Sequence, residues 1–391
     1  MEAFWQNMQM LKSCLFMKLM RHQDNQYLRK NSCNIINMSL IISVFVNFFK
    51  ILRLFNPNLL KSKPIGNFFE EIEPYEKGFE NHYKKYLRDK VVKFEKERLK
   101  ALKIARRNAF ICIPIMLLIP FGIPYLILIW VESFGDGSLD FLFFGIFIVY
   151  ALLIWFITNS MTLYQESIKT EIFPNILNFF GDFQYNHETQ KSAGSFEYSG
   201  LIPHFTRETS EDHILGNYKG VSIDLFETEL EKRVKTKDSS YYKTVFKGIL
   251  ITLSMNKRFK GKTVVRKDSG IIGNWFKKKF SSLKNVKLED PNFEKMFEVY
   301  SDDQVESRYL LTVTFMERLK ELAETFGGKS IQCCFYNKEL FMMIPIKKDM
   351  FEPGSIFEPE DFIDDSKNLL KELNLIFNII DQLKLNMKIN L

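Results

Sequence analysis

Two stretches of the chain are almost wholly apolar, and the rest of the pattern is arranged around them. Residues 109–131, AFICIPIMLLIPFGIPYLILIWV, carry no charge, and residues 139–158, LDFLFFGIFIVYALLIWFIT, carry only Asp140 at the edge. About 20 apolar residues cover a hydrocarbon core, and Leu, Ile, Phe and Val each favour insertion, so both stretches are predicted to be transmembrane helices. Pro114, Pro120 and Pro124 are expected to kink the first, which membrane helices tolerate. The connector ESFGDGS (132–138) is short, so the two spans form an antiparallel hairpin over 109–158.

Helical periodicity continues on both sides of the hairpin. Phe79, Tyr83, Tyr86, Leu87, Phe94, Ala101 and Ala105 recur at three- to four-residue steps, with Glu73/Lys77, Glu80/Lys84 and Asp89/Lys93 in the favourable i,i+4 order. This predicts a first stalk helix within 68–108 that runs unbroken into the first span. NSMTLYQESIKTEIF extends the second span until Pro174, giving a second stalk helix within 159–183.

After Gly181 the period changes to two. Val221, Ile223 and Leu225 alternate with polar neighbours, as do parts of TVFKGILITLSMN and TVVRKD. SIQCCFYN and ELFMMIPI flank Asn337-Lys338 as a hairpin, and Cys333 and Cys334 should face opposite sides of that strand. Leu369, Leu370, Leu373, Ile376, Phe377, Ile380 and Leu383 mark a closing amphipathic helix. Residues 184–391 therefore read as one α+β domain with a mainly antiparallel sheet. The predicted fold class is a membrane protein: a helical transmembrane hairpin with a helical stalk, plus a cytoplasmic α+β domain.

The first 67 residues read as a tail. IINMSLIISVFVNFF (35–49) is short for a span, and three readings stand: an interfacial helix, a third span, or a tail outside the natural product, since Met38 would serve as a start. NPNLLKSKPIGN (56–67) follows as a linker.

Charge sets the orientation. Arg98, Lys100, Lys103, Arg106 and Arg107 precede the first span, while the connector carries Glu132 and Asp136. Lysine and arginine excess beside a span marks the cytoplasmic side, so both long flanks are expected in the cytoplasm. No ionisable residue lies inside either span, which argues against channel, proton-relay and transporter classes. The net charge of +7 does not by itself call for nucleic acid. The five cysteines, Cys14, Cys33, Cys112, Cys333 and Cys334, form neither a disulfide framework nor a zinc spacing, which suits a reducing compartment.

The two adjacent spans after a basic helix are followed by SGLIPHF, EDHILGNYKGVSIDLFETEL, VFKGILITLSMNKRFKGKT and FEKMFEVYSDDQVESRYLLTVTFMERL. Together these resemble a bacterial family of uncharacterised two-span membrane proteins, domain-of-unknown-function family 3137, over about residues 70–385. The resemblance implies the architecture and a location in the bacterial inner membrane. It carries over no functional residue.

Candidate chemistry is sparse. His204 and His213, with Glu208, Glu211 and Asp212 nearby, hold a metal site in outline but match no fixed ligand spacing, so no metal and no cofactor are expected. No phosphate-binding loop, GxGxxG or GxSxG occurs. The most distinctive surface run is 256–287, with eleven Lys/Arg against Asp268 alone. Lys257, Arg258, Lys260, Lys262, Arg266, Lys267, Lys277, Lys278 and Lys279, with Trp275, Phe276 and Phe280, make it a candidate contact for anionic lipid headgroups. A solvated hairpin tip, or a surface for an acidic protein or nucleic acid, are the alternatives, and no nucleic-acid fold is suggested.

FEVYSDDQVESRYLL (297–311) gathers acids, an arginine and a tyrosine. Ser301 and Gln304 have the S-x-x-Q spacing of a capping box, and Thr314 and Glu317 repeat the device, so the cluster reads as a strand-to-helix junction. Arg308 is left to pair with Asp303 or Glu306. The expected role is a non-catalytic interaction or regulatory module at the membrane, with the lipid bilayer and an unidentified protein as partners. The alternative is a membrane-tethered enzyme using carboxylates, Arg308 or a histidine of 204–213.

Overall fold

The computed structural model describes residues 50–60, 68–134, 139–236, 240–255, 258–267, 282–325, 331–346, 351–359 and 361–387. The tail at 35–49 and the lysine-aromatic run 275–280 lie outside them, as do Lys257 and parts of both the linker and the inter-span connector.

The chain enters through a helical turn at 50–53 and a 3-10 turn at Pro74–Glu76. Helix α1 (Phe79–His82) passes through a π segment, Tyr83–Leu87, into α2 (Arg88–Phe134), which carries all three prolines without ending. Helix α3 (Leu139–Glu171) returns antiparallel to it. Tyr150 donates to Met116 O at 2.7 Å, Asn108 to Phe156 O at 3.0 Å, and Ser160 to Ala101 O at 3.0 Å. Lys93 meets Glu171 at 2.9 Å at the foot of the pair, and Glu80/Lys84 forms the predicted ion pair at 2.5 Å. Lys93 turns to Glu171 on the neighbouring helix at 2.9 Å and to Glu97 on its own at 3.8 Å, rather than to Asp89.

Helix α4 (Phe173–Leu177) starts at the Pro174 break and leads to the sheet: β1 (Gln184–Glu188), β2 (Arg207–Tyr218), β3 (Val221–Lys235), β4 (Ser240–Ser254), β5 (Thr263–Lys267) and β6 (Lys284–Val286). There follow α5 (Pro291–Met296), β7 (Phe297–Ser301), α6 (Gln304–Leu310), α7 (Val313–Thr325), β8 (Gln332–Tyr336), β9 (Glu339–Pro345) and α8 (Ile363–Met387). The strands form a single nine-stranded sheet, β1-β2-β3-β4-β9-β8-β5-β7-β6, with every described pairing antiparallel. The class is therefore α+β, as the change of period predicts.

Both faces of the sheet are covered, which explains why GILITL and LFMMIPI are nearly continuous apolar runs. Leu225, Ile249, Ile251, Cys333, Met342 and Ile344 point into the main core, shared with the lower halves of α2 and α3 and with α7 and α8. Phe226, Leu250, Cys334, Phe341 and Met343 point the other way, under the 3-10 segment Ala193–Ser199, whose Phe196 stacks on Phe341 at 4.5 Å. Cys333 and Cys334 thus lie on opposite faces. The stalk is not a free-standing post: Phe79, Tyr83, Leu87, Phe94, Ile168 and Ile172 belong to the same core as the sheet.

Beyond that core the helix pair changes character. Phe110, Ile111, Leu117, Leu118, Phe121, Tyr125 and Ile129 on α2, and Phe143, Leu152 and Phe156 on α3, are exposed. By length and composition these are two helices able to cross a membrane.

Strands β4 and β9 approach so closely that a Cβ at Gly248 would sit 2.1 Å from Ile344 O and 2.8 Å from Pro345 Cα. Both are backbone atoms and neither yields without moving a central strand. Gly248→Ala should lower stability by about 1–3 kcal/mol, as core overpacking does, measured by thermal unfolding of the full chain in detergent.

Candidate functional site

The strongest concentration of buried charge sits where the second stalk helix meets the sheet. Strand β2 carries Asp212 at a bulge, where its register against β3 shifts between Glu211 and Ile214. Its φ of 52° is a left-handed value that aspartate tolerates better than most residues. The bulge turns the carboxylate inward, and Asp212 is 0% exposed. Lys169, from the last turn of α3, places Nζ 2.9 Å from Asp212 Oδ2 and 3.1 Å from Glu352 Oε1. Tyr185 of β1 donates its hydroxyl to Asp212 Oδ1, and His187 Nδ1 lies 3.1 Å from the same oxygen.

Burial opposes the Asp212 charge, but the His187 hydrogen bond, the Lys169 ammonium and the Tyr185 hydroxyl outweigh it and hold the carboxyl below its usual range. The His187 imidazole is raised, first by its hydrogen bond to Asp212 and then by that carboxylate's charge, against burial. Glu211 is raised by burial and by its charged neighbour Asp212, and the Tyr185 hydroxyl is raised for the same two reasons.

His187, Glu211 and Asp212 bring potential ligand atoms within 4.8 Å of one another. A divalent cation placed among them would face the Lys169 ammonium, which already neutralises the shared carboxylate. The donor set therefore fits an ion-paired joint better than a metal centre. What the joint does is fasten α3, the continuation of an apolar helix, to the edge of the sheet.

A second cluster lies one strand away. Asp224 of β3 accepts from His213 Nε2 at 3.0 Å and from Lys191 Nζ, while burial opposes its charge. His213 and Asp212 are consecutive in sequence yet serve different clusters, and His204 is exposed. The residues that sequence reasoning missed are Lys169, Tyr185, His187 and Asp224. The HETQ and EDH segments carried a weak signal, but nothing local ties either to a lysine forty residues away.

The acidic run after β7 is structural, and its cap differs from the expected one. Ser301 does not cap α6: its hydroxyl donates to Asp303 O at 2.9 Å and pairs with Thr263 Oγ1 at 3.0 Å. The N-cap is Asp303, whose Oδ1 accepts from Val305 N at 3.0 Å and Glu306 N at 2.9 Å. Gln304 is instead the first helical residue. The helix starts two residues later than the S-x-x-Q spacing implies because Ser301 still belongs to the β5–β7 ladder. Likewise Thr312, not Thr314, caps α7, accepting from Phe315 N at 3.2 Å, and Thr314 and Glu317 lie exposed in the helix.

The remaining acids clamp the turn before β5. Asp302 Oδ1 accepts from Lys262 N at 2.6 Å, and Glu306 accepts from Lys260 N and Gly261 N. A Cβ at Gly261 would crowd Asp303, standing 2.8 Å from its Cβ and 3.1 Å from its backbone N, so glycine suits this turn. Among the described residues Arg308 reaches Gln304 O, at 3.4 Å, rather than Asp303 or Glu306.

Within the basic run, two of the expected lipid contacts are unavailable as such. Arg266 is 3% exposed, ion-pairs with Glu298 at 2.9 Å and lies over the Tyr300 ring. Lys262 is half-buried and donates to Tyr198 O at 2.5 Å. Strand alternation buries the Arg266 side chain against its neighbours, which a charge count does not register. Arg258 and Lys260 are exposed.

Removing one partner of a buried ion pair leaves the other charge unpaired, so Lys169→Met should cost about 3–5 kcal/mol. Adding Asp212→Asn, which removes the orphaned charge, suits the same left-handed φ and keeps an oxygen for Tyr185, should recover part of that loss, both read by unfolding in detergent. The pH dependence has two limbs. Asp212, depressed in the folded chain, stabilises above the ordinary carboxylate range and loses this as pH falls through its folded value. His187, raised, stabilises fully below its ordinary 6.5 and loses this as pH rises through its folded value; Glu211 has the same sign at lower pH. Melting temperature should therefore decline as pH is raised above about 6.5, and His187→Gln should flatten that limb.

No curated protein matches the chain. Among solved structures, the crystal structure of the mycobacterial trehalose monomycolate transport factor A, TtfA, is 12% identical, with 53% of this chain and 92% of that chain covered at a TM-score of 0.28. The family match is narrower than the resemblance over 70–385 suggests, and of the joint it includes only Glu352. Residues 244–385, from within β4 to the last turn of α8, match the model of a family described as protein of unknown function (DUF3137).

Proposed function

We propose that the chain is a two-span protein of the bacterial inner membrane whose α+β domain serves as a non-catalytic interaction or regulatory module on the cytoplasmic face. The observation that carries this reading is the change of surface along α2 and α3. Their far halves expose Phe, Leu and Ile on the outer faces of the pair, while their near halves are built into the core of the sheet. An exposed apolar surface of this extent is unfavourable in water and favourable in lipid. The basic residues at the water end of α2 support a cytoplasmic domain.

Because the helices run without a break from apolar segment to core, the domain is held at a fixed height and angle. A module so held is suited to presenting a surface to something else at the membrane. The acids and Arg308 of 302–308, which an enzyme reading would use, are engaged with backbone groups.

The test is topological. The full chain should stay with membranes through an alkaline carbonate wash. A C-terminal fluorescent reporter should be bright, and a C-terminal alkaline phosphatase inactive. Release by carbonate would refute the spans, and an active phosphatase would refute the orientation.

A further inference from the structure

Where the two apolar runs end, the helical turn at 50–53, helix α3 and the loop at 355–357 enclose a small cleft. Its polar lining is Lys50, Arg53, Thr158, Thr162, Gln165 and Ser355, over a floor that includes Met161 and Ile356. We propose that this cleft binds the phosphate-bearing headgroup of an anionic membrane lipid, a reading that rests on the membrane insertion proposed above.

Position is the first argument. Thr158 is the final residue of the second apolar run, and Phe110, near the start of the first, packs edge-on against Phe55 at 5.4 Å. The cleft therefore lies at the level where hydrocarbon gives way to headgroups. Rigidity is the second. The turn that carries both cations is anchored by Ile51 and Leu54, which are 2% and 0% exposed. The opposite wall is anchored too: fully buried Arg98 pairs with Glu95 at 2.6 Å and donates to Ile356 O at 3.0 Å.

Chemistry is the third. Lys50 and Arg53 are three residues apart on one helical turn, so both face the cleft, and neither forms an ion pair with a described residue. The Arg53 guanidinium lies 5.6 Å over the Phe357 ring, which orients its plane. Thr158 and Thr162 spend their protons on Ile154 O and Thr158 O, so they offer only acceptors. The Gln165 amide and the Ser355 hydroxyl remain as donors, Ser355 Oγ itself accepting from Phe357 N at 3.4 Å. Two cations and two neutral donors match a phosphodiester oxyanion, and the hydroxyls of a glycerol headgroup can donate to the threonine acceptors. Of the nearby acids, Glu352 is engaged with Lys169, and Glu358 is not part of the lining.

The test uses the full chain in neutral detergent, with lipid binding counted by native mass spectrometry during titration with phosphatidylglycerol or phosphatidylcholine. Phosphatidylglycerol should bind more tightly, and Lys50→Gln/Arg53→Gln should weaken it roughly tenfold or more. Lys50→Arg/Arg53→Lys should bind as the parent does, which separates lost charge from lost fold. Equal affinity for the two lipids, or an unchanged Gln variant, in a protein that resists carbonate would overturn the cleft alone. Displacement of the lipid by millimolar inorganic phosphate would overturn the lipid source in favour of a free phosphate. Release of the protein by carbonate would remove the membrane reading and this inference with it.

Discussion

The contact on which the arrangement turns is the buried ion pair between Lys169 and Asp212. An isolated carboxylate at zero exposure costs several kcal/mol, and this one is tolerable only because an ammonium, a phenol and an imidazole converge on it. The ammonium arrives on the continuation of an apolar helix; the carboxylate arrives on a strand forced into a bulge. Satisfying either requires the other at one distance and angle. The pair therefore fixes how the hairpin meets the sheet.

The rest of the packing follows from that junction. With α3 fastened to β2, its partner α2 lies along it through Asn108, Ser160 and Lys93, and the lower halves of both become a wall of the main core. Helix α8 closes the same core, stacking Phe377 on Tyr218 at 4.0 Å and pairing Asp381 with Lys219 at 2.8 Å. The far face of the sheet is left to the 3-10 segment with Phe196, a thinner cover over a smaller cluster. The result is a sheet buried on both sides, but joined to the helix pair on one side only.

Charges near the helix pair divide by their surroundings. Arg98 and Lys169 are buried and committed to carboxylates, whereas Lys50 and Arg53 line a cleft at the end of the apolar runs. Arg106 lies over the ring of Phe110 at the same level. A count of basic residues before a span treats all of these alike. Their surroundings give them different work: some lock the domain to the helices, and others remain turned toward whatever lies at the interface.

Local pattern was enough for the elements. The two apolar runs, the alternation of Val221, Ile223 and Leu225, the opposed faces of Cys333 and Cys334 and the closing helix all follow from periods of 3.6 and 2, which neighbours in sequence set. The strand-to-helix junction after Phe297 was legible too, but the cap moved from Ser301 to Asp303 because pairing with β5 holds Ser301 in the ladder. Only the tertiary structure decided the burial of Arg266, the separation of His213 from Asp212, and the meeting of Lys169, Tyr185, His187 and Asp212. Those depend on a bulge and on a contact between residues forty-three apart in sequence, and no period along the chain encodes which distant charge will neutralise a buried one.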